Sequence, residues 1–112
     1  MCFYFSINKP KKVIEERFDS SFDSNDSFKA EPYANAFLKP LLPVIINDDA
    51  DKIHLFKWGL IPHWVNDEKK ANEISSSTFN ARAETIFEKP SFRYSIKTQR
   101  CLVIADGFFE WK

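Results

Sequence analysis

Glycine is scarce in this chain, and this limits the ways in which its strands can be joined. Only two of the 112 residues are glycine, Gly59 and Gly107. Two-residue hairpin turns depend on positive φ angles, which glycine adopts most readily, so tight hairpins should be few. A turn signal, Asp106-Gly107, stands between RCLVIA and FFEWK. This pattern predicts a strand, a turn and a second strand at the end of the chain.

The length and composition predict one modest globular domain. A chain of 112 residues is too short for two domains, and 44% hydrophobic with 29% charged residues exclude a disordered chain. Sixteen basic residues balance sixteen acidic ones, so the formal net charge is zero. A non-specific electrostatic binder of nucleic acid is usually more basic. Any role on nucleic acid must therefore depend on a local patch or on covalent chemistry.

The cysteine content favours a reducing compartment. Cys2 and Cys101 have no CxxC spacing and form no disulfide framework. The first 30 residues lack the apolar segment of a signal peptide, and no apolar run approaches the roughly 18 residues of a membrane span. We therefore expect a cytoplasmic protein without a membrane partner. The two cysteines could supply zinc ligands together with His54 and His63, but no local ligand pair supports this. We expect no metal and no cofactor.

Strand patterns occur in three further places. Residues 2–7 alternate, with Phe3 and Phe5 on one face and Cys2 on the other, which predicts a strand with one buried face. Residues 41–46 are also typical of a strand, in which Pro43 indicates an edge or a bulge. Residues 52–61 predict another strong strand.

Helices are expected between these strands. Pro10 can begin a helix that ends near residue 18 and has an apolar stripe at Val13, Ile14, Arg17 and Phe18. Residues 66–78 predict a short helix followed by a serine-rich loop, and residues 83–97 predict a helix interrupted at Pro90. The polar residues 19–32 are typical of a loop. The fold class is therefore α+β.

Three short motifs contain residues suited to chemistry. They are Met1-Cys2, FNARAET at residues 79–85 and ADGFFEWK at residues 105–112, with a weaker fourth, WGLIPHW, at residues 58–64. Each alone has an ordinary explanation: a chance thiol, a capped helix start with solvated charges, or a surface carboxylate. The two tryptophans of the fourth motif would more often be core than a stacking platform.

Together and in this order, the motifs resemble those of the SRAP family, the SOS response-associated peptidases or abasic-site processing proteins. The resemblance runs from residue 2 to residue 112. It implies an antiparallel sheet curled into a barrel around the site, with peripheral helices. It also implies that residues 1–112 are the N-terminal portion of an SRAP domain whose remainder follows Lys112. The strand FFEWK would then expose apolar side chains, through which the chain could associate with a second chain or with the remainder.

The family resemblance also implies a reaction at Cys2. After loss of Met1, this residue carries a thiol and a free α-amine on adjacent carbons. An α-amine with an ordinary pKa of about 7.7–8.0 is partly neutral at physiological pH and can form an imine with an aldehyde. In the family, the aldehyde is that of a ring-opened abasic site in single-stranded DNA. The thiol then closes a five-membered thiazolidine ring.

Further site residues follow from the same resemblance. Glu110 would move protons, and Asn80 would hold the amine or the sugar by hydrogen bonds. Arg82 would bind a phosphate near the lesion, for which a planar bidentate donor is suited. Trp64 would stack on a flanking base, and so would Tyr4.

The chain departs from the family pattern in three ways. The family usually begins Met-Cys-Gly-Arg-Phe, so Tyr4 here replaces an arginine and a phosphate contact. The segment Ala34–Phe37 stands where Asn-x-Ala-Pro is usual, which affects part of the DNA groove. The catalytic histidine of the family is expected in a later motif, which residues 1–112 do not reach. His54 and His63 match nothing in that motif and are expected to be structural or surface residues.

Three other functions remain compatible with the sequence. A cysteine peptidase or hydrolase would use Cys2 as nucleophile, Glu110 as base and Asn80 in an oxyanion hole. A non-covalent module would bind single-stranded DNA through its aromatic residues and Arg82. A structural fragment would have no activity.

Overall fold

A computed structural model describes all 112 residues, and it has the predicted mixed α+β architecture. None of its helices has the length and apolar character needed to cross a membrane. The elements follow one another as β1 (Tyr4–Ile7), α1 (Lys11–Phe18), β2 (Ser21–Phe22), β3 (Glu31–Asn35), a short 3₁₀ helix (Ala36–Leu38), β4 (Leu41–Ile46), β5 (Lys52–Lys57), α2 (Glu68–Ser75), α3 (Ser95–Thr98), β6 (Cys101–Val103) and β7 (Gly107–Phe109).

The strands form two open sheets and not the predicted curled barrel. One sheet has three strands in the order β3-β1-β7, and the other has four in the order β2-β5-β4-β6. All pairs are antiparallel except β2 with β5, which is parallel. Each sheet keeps two unpaired edges, because no strand joins one sheet to the other. The α+β fold class is confirmed, and the closed barrel is wrong.

The core lies where the two sheets meet α1. The alternation predicted for the first strand is confirmed, since Phe5 and Ile7 are buried while Tyr4 and Ser6 are not. Burial of such apolar side chains is the main driving force for folding. The other buried members of this cluster are Ile14, Phe22, Ala34, Leu42, Ile45, Ile53 and Ile104.

The first two helices occur where the sequence predicts them. In α1 only Ile14 is fully buried, whereas Val13 and Phe18 remain 45% and 37% exposed, so the buried stripe of the helix is narrower than expected. In α2 the Asp67 side chain accepts a hydrogen bond from the Lys69 N–H and caps the helix. Residues 19–32 are less irregular than expected, because they contain β2 and the start of β3.

The long helix predicted for residues 83–97 is wrong. This segment is a series of turns and contains only the four-residue α3. The carbonyl of Thr85 accepts hydrogen bonds from Glu88 and Lys89, and the next turn begins at Lys89. Pro90 follows directly, and proline has no N–H with which to continue a helix.

Pro43 lies in a strand that is paired on both sides with no shift of register, so the predicted edge or bulge at this residue is wrong. Strand β4 pairs with β5 on one side and with β6 on the other. The carbonyl of Pro43 accepts a hydrogen bond from the Ile104 N–H at 3.0 Å, and pairing with β6 begins only at the next residue, Val44. Because Pro43 lies at the end of that ladder, no ladder hydrogen bond needs its missing N–H.

The two strands predicted on either side of Asp106-Gly107 both exist, but they do not pair with each other as a hairpin. Strand β6 pairs with β4, whereas β7 pairs with β1 in the other sheet. The Asp106 N–H donates to the Ser6 carbonyl at 2.9 Å, and the Asp106 carboxylate accepts from the Ser6 hydroxyl and from the Asn8 N–H. Asp106-Gly107 thus leads the chain from one sheet to the other. The aromatic side chains after this crossing are open to solvent, with Phe108 72% and Trp111 98% exposed.

Replacing Asp106 with asparagine should reduce stability in a pH-dependent way. The hydrogen bond from Ser6, and next the one from the Asn8 N–H, lower the pKa of the Asp106 carboxyl below its ordinary value. A carboxyl with a lowered native pKa stabilises the fold above its unfolded-state pKa, and this contribution disappears as the pH falls through the native pKa. Asp106→Asn should therefore be less stable than the native chain at neutral pH, with little difference at strongly acidic pH.

Urea unfolding at the two pH values measures this effect, with the exposed Asp51→Asn as the control. An Asp106→Asn defect that stays constant down to strongly acidic pH would contradict the argument.

Candidate functional site

Residues from three distant parts of the chain meet at the N-terminus. The Cys2 backbone N–H donates a hydrogen bond to Oδ1 of Asn80 at 3.0 Å. The Cys2 thiol donates to the Tyr4 carbonyl at 3.4 Å. The Met1 ammonium forms an ion pair with Oε1 of Glu110 at 3.3 Å. The three residues predicted to be catalytic, Cys2, Asn80 and Glu110, are therefore brought together, while their roles stay predictions.

Strand pairing explains the position of Glu110. Strands β1 and β7 are antiparallel, and Tyr4 lies opposite Phe109. In an antiparallel pair, the residue that follows one strand lies beside the residues that precede the other. Glu110 thus comes directly after β7 at the point where Met1 and Cys2 come before β1.

A tryptophan holds the segment that carries Asn80. The Trp58 indole N–H donates to the Phe79 carbonyl at 3.0 Å, and its ring packs against Phe5 with centroids 5.1 Å apart. The Thr78 hydroxyl donates to the Leu60 carbonyl at 2.6 Å. Trp58 is therefore a packing residue, the more common of the two possibilities expected for it. Its indole fixes the chain one residue before Asn80.

Gly59, the residue after Trp58, allows the chain to pass close to the end of α2. Its φ angle is +118°, and a Cβ atom at this position would lie 2.6 Å from the Ser75 carbonyl oxygen. Any residue other than glycine is disfavoured here, both by the positive φ angle and by the contact with the Ser75 carbonyl. The glycine of the WGLIPHW motif is thus required by backbone geometry next to the site.

Cys2 lines an open trough of about 970 Å³. The strand begins only at Tyr4, so the predicted alternation does not reach Cys2, which faces the same trough as Phe5. Asn80 and Cys101 also line it, and partial burial raises the pKa of the Cys101 thiol above its ordinary value. Most of the other residues that line the trough are apolar. They include Leu41, Leu42, Val44, Ile46, Leu55, Phe56, Leu60, Ile61 and Val103.

Arg82 lines a second, smaller cavity of about 270 Å³ next to Asn80. Lys89 and Met1 line the same cavity. The chain has two ion pairs, Met1 with Glu110 and His54 with Asp49. The cationic groups of Arg82 and Lys89 are therefore both without an acidic partner. Sequence reasoning missed Lys89, because this residue lies outside the motif at residues 79–85.

Two predicted DNA-binding residues lie outside both cavities. Trp64 is 48% exposed and lines neither of them. The Tyr4 ring stacks on Tyr33 at 4.8 Å, and Tyr33 packs edge-on against Phe109. The structure thus does not bring the Trp64 or Tyr4 side chains into the cavities beside Cys2, and their roles in DNA binding stay predictions.

An aromatic cluster near Cys2 was also missed. The ring of Phe37 stacks on Phe3 at 5.1 Å and meets Phe79 edge-on at 5.5 Å, yet 59% of Phe37 remains exposed. Phe3 and Phe37 stand at two of the positions where the sequence departs from the family pattern. Those departures were the available signal, because both introduce an aromatic ring near the nucleophile.

The histidines have partners away from the site. Nε2 of His54 lies 3.0 Å from Oδ2 of Asp49, and the His63 ring lies 4.1 Å from that of Tyr94. Neither histidine lines the two cavities. No three His, Cys, Asp or Glu side chains are grouped so that they could hold a metal ion.

Comparisons with known proteins agree on one family. The family model described as SOS response associated peptidase (SRAP) matches residues 1–112. The abasic site processing protein YoaM of Bacillus subtilis is 38% identical over 114 residues, which cover 100% of this chain and 48% of the relative. The abasic site processing protein HMCES of Mus musculus is 42% identical over 67 residues, or 58% of this chain and 19% of the relative.

Solved structures give the same result for the fold. A protein from Bacteroides thetaiotaomicron is 40% identical and superposes with a TM-score of 0.88 over 99% of this chain and 49% of its own. A protein from Bordetella bronchiseptica shares the fold, with a TM-score of 0.76 and 22% identity over 97% of this chain and 50% of its own. The chain thus spans about half the length of those relatives that match it from end to end.

Gly59→Ala should destabilise the protein and disturb the Asn80 segment. The added methyl group must adopt a positive φ and displace the Ser75 carbonyl, and such strain is worth about 1–3 kcal/mol. Gly107→Ala is the matched control, because its Cβ would meet only the Ser6 hydroxyl oxygen at 3.3 Å. Urea unfolding of both variants measures the difference. An equal loss of stability in the two variants would show that backbone geometry at Gly59 is not the cause.

Proposed function

Because this chain belongs to the SRAP family, we propose that it processes abasic sites in DNA by forming a covalent bond through Cys2. The relatives named abasic site processing proteins support the substrate class. The observation that carries the proposal is the 3.0 Å hydrogen bond between the Cys2 nitrogen and Oδ1 of Asn80. This bond holds the nitrogen that must become the nucleophile, on the residue that also carries the thiol.

The reaction begins with hydrolysis of the Met1–Cys2 peptide bond, which frees the α-amine of Cys2. The amine adds to the aldehyde of the ring-opened abasic sugar, and loss of one water gives an imine. The thiol sulfur then bonds to the imine carbon while its proton passes to the nitrogen. A five-membered thiazolidine ring results, with no oxidant or reductant required.

Asn80 orients the reacting nitrogen in this proposal. Its Oδ1 atom can only accept hydrogen bonds, so it binds an N–H of the amine. The lone pair of the amine nitrogen is then free to face the aldehyde. The Tyr4 carbonyl accepts a hydrogen bond from the thiol of the same residue. The two nucleophilic atoms of Cys2 therefore each have a fixed partner before substrate binds, as pre-organised catalysis requires.

Glu110 moves protons in this proposal. Its carboxylate already binds the α-ammonium of Met1 at 3.3 Å and is partly exposed, so it can exchange protons with solvent. After removal of Met1, the new α-ammonium belongs to Cys2, and this group must lose a proton before it can attack. A carboxylate next to it can accept that proton and later protonate the departing hydroxyl.

The remaining predicted residues would hold single-stranded DNA. Arg82 has no acidic partner and can bind a backbone phosphate. Trp64 is half exposed and can stack on an unpaired base, and Tyr4, whose ring is stacked on Tyr33, would offer a second place for such stacking. We place this activity in the cytoplasm, where a reducing environment keeps the Cys2 thiol free.

The exposed C-terminal aromatic residues offer a surface for association. Phe109, 48% exposed, follows the even more open Phe108 in β7. Exposed apolar patches of this kind often mark interaction sites. We propose that a further polypeptide segment covers this strand in the active species.

A peptidase function is the second candidate, supported by the family description. The Met1–Cys2 peptide bond lies beside the thiol, and Glu110 binds the amine of the residue that would leave. A peptidase releases product repeatedly, whereas a crosslinking protein is consumed in one turnover. Counting turnovers against a peptide substrate and an abasic oligonucleotide separates the two functions, and a non-covalent module would show neither.

Cys2→Ala should abolish a heat-stable adduct with abasic single-stranded DNA. The chain starting at residue 2 is incubated with an aldehyde-bearing oligonucleotide, and the adduct is measured by denaturing gel and intact mass. Cys101→Ala is the matched control, because it removes the other thiol of the same trough and leaves the α-amine chemistry intact. Full adduct formation by the Cys2→Ala variant would rule out the proposed bond.

Glu110→Gln and Arg82→Gln should affect different steps. Glu110→Gln keeps a similar shape but cannot take up a proton, so crosslinking should slow by roughly 10²-fold while DNA binding changes little. Arg82→Gln should weaken binding and lower the slope of log K against log salt by about 0.7, the value of one phosphate contact on a single strand. Binding isotherms and single-turnover rates measure the two effects. Equal loss of binding in both variants would contradict this division.

A further inference from the structure

The cavity beside Asn80 has the chemistry of a phosphate site. Arg82 and Lys89 both line it, neither has an acidic partner, and Thr85 lies between them in sequence. The cavity measures about 270 Å³ with Met1 forming part of its wall. Two cations that face one small cavity repel each other unless an anion lies between them.

Two consecutive turns produce this arrangement. The Thr85 N–H donates to the Arg82 carbonyl at 3.2 Å, and the Lys89 N–H donates to the Thr85 carbonyl at 2.9 Å. Residues spaced by three and four positions in such turns lie on the same side of the chain. The turns that replace the predicted helix thus place both cations around one cavity next to Asn80.

Met1 lines the same cavity and is held there by two contacts. Its ammonium is bound by Glu110, and the following nitrogen, that of Cys2, is bound by Asn80. The methionine side chain is apolar, so it cannot form hydrogen bonds to an anion between Arg82 and Lys89. Because this side chain forms part of the cavity wall, it narrows the space that a phosphate, its sugar and its hydration would share, and its loss would widen that space.

From this geometry we infer that Arg82 and Lys89 form one subsite for a DNA backbone phosphate next to the reacting residue, and that Met1 obstructs this subsite while it is retained. The inference rests on the proposed function and extends it. Loss of Met1 would then have two effects, since it frees the amine of Cys2 and also opens the phosphate subsite. Chains that start at Met1 and at Cys2 carry the same net charge, because each has one α-ammonium group. A difference in phosphate binding between them therefore reports the obstruction and not a change of charge.

The test compares reversible binding of the two chains, prepared from a cleavable fusion and verified by intact mass. The probe is a single-stranded oligonucleotide with a tetrahydrofuran abasic analogue, which has no aldehyde and cannot crosslink. Binding is measured over a series of salt concentrations. The Met1 chain should show a salt slope smaller by about 0.7 for each phosphate contact that it lacks.

Lys89→Gln identifies the subsite. In the chain that starts at Cys2, this variant should lower the salt slope by about 0.7, whereas in the Met1 chain the same variant should change it much less. Lys97→Gln is the matched control, an exposed lysine of the same segment outside the cavity. Inorganic phosphate should compete with the oligonucleotide for the Cys2 chain more than for its Lys89→Gln variant.

Two outcomes would overturn the inference. Equal slopes for the Met1 and Cys2 chains would show that Met1 does not obstruct the subsite. Equal effects of Lys89→Gln and Lys97→Gln would show that the cavity is not a phosphate site. Because the analogue has no aldehyde, a failure of covalent chemistry would appear only with natural abasic DNA and would leave this test unaffected.

Discussion

The position of β1 between β3 and β7 determines where the N-terminal cysteine lies. Both edges of β1 are paired, and its Phe5 and Ile7 side chains point into the core, so the strand is fixed in register and in face. A slip of one residue would move it by about 3.3 Å and turn both side chains to the opposite face. The register that buries Phe5 is thus the same register that sets Met1 beside Glu110. Core packing and site geometry have one common cause.

A second constraint positions Asn80 from the other sheet. Trp58 follows β5, contacts Phe5 across the core and donates its indole N–H to the carbonyl before Asn80. Gly59 then allows the chain to pass α2 at a distance that no side chain would permit. The site therefore lies at the junction of the two sheets. Glu110 follows a strand of the first sheet, and Asn80 lies in a loop that is anchored by Trp58, the residue after a strand of the second.

Local features of this fold were predictable from sequence, and pairing between distant strands was not. The alternation at residues 2–7 depends on nearest neighbours, and it is confirmed from Tyr4 onward. Pro43 and Asp106-Gly107 were misinterpreted because their meaning depends on strands elsewhere in the chain: the end of β6 in one case and Ser6 of β1 in the other. The grouping of Cys2 with Asn80 and Glu110 followed from motifs of a known family. Lys89 and Phe37 belong to no such motif, so only the structure reveals their positions.

Covalent chemistry would resolve an apparent conflict in the charge of this protein. Its net charge is zero, and only a few unpaired cations face the site, so reversible binding to DNA should be weak at physiological salt. Under the proposed function, occupancy depends on the rate of bond formation and not on the dissociation constant, so a few phosphate contacts are sufficient. Those contacts need only hold the aldehyde beside Cys2 for long enough to react. The nitrogen held by Asn80 is unreactive while it is an amide, because its lone pair is delocalised into the peptide group. Removal of one residue converts it to an amine in a site whose hydrogen-bond partner for that nitrogen is already in place.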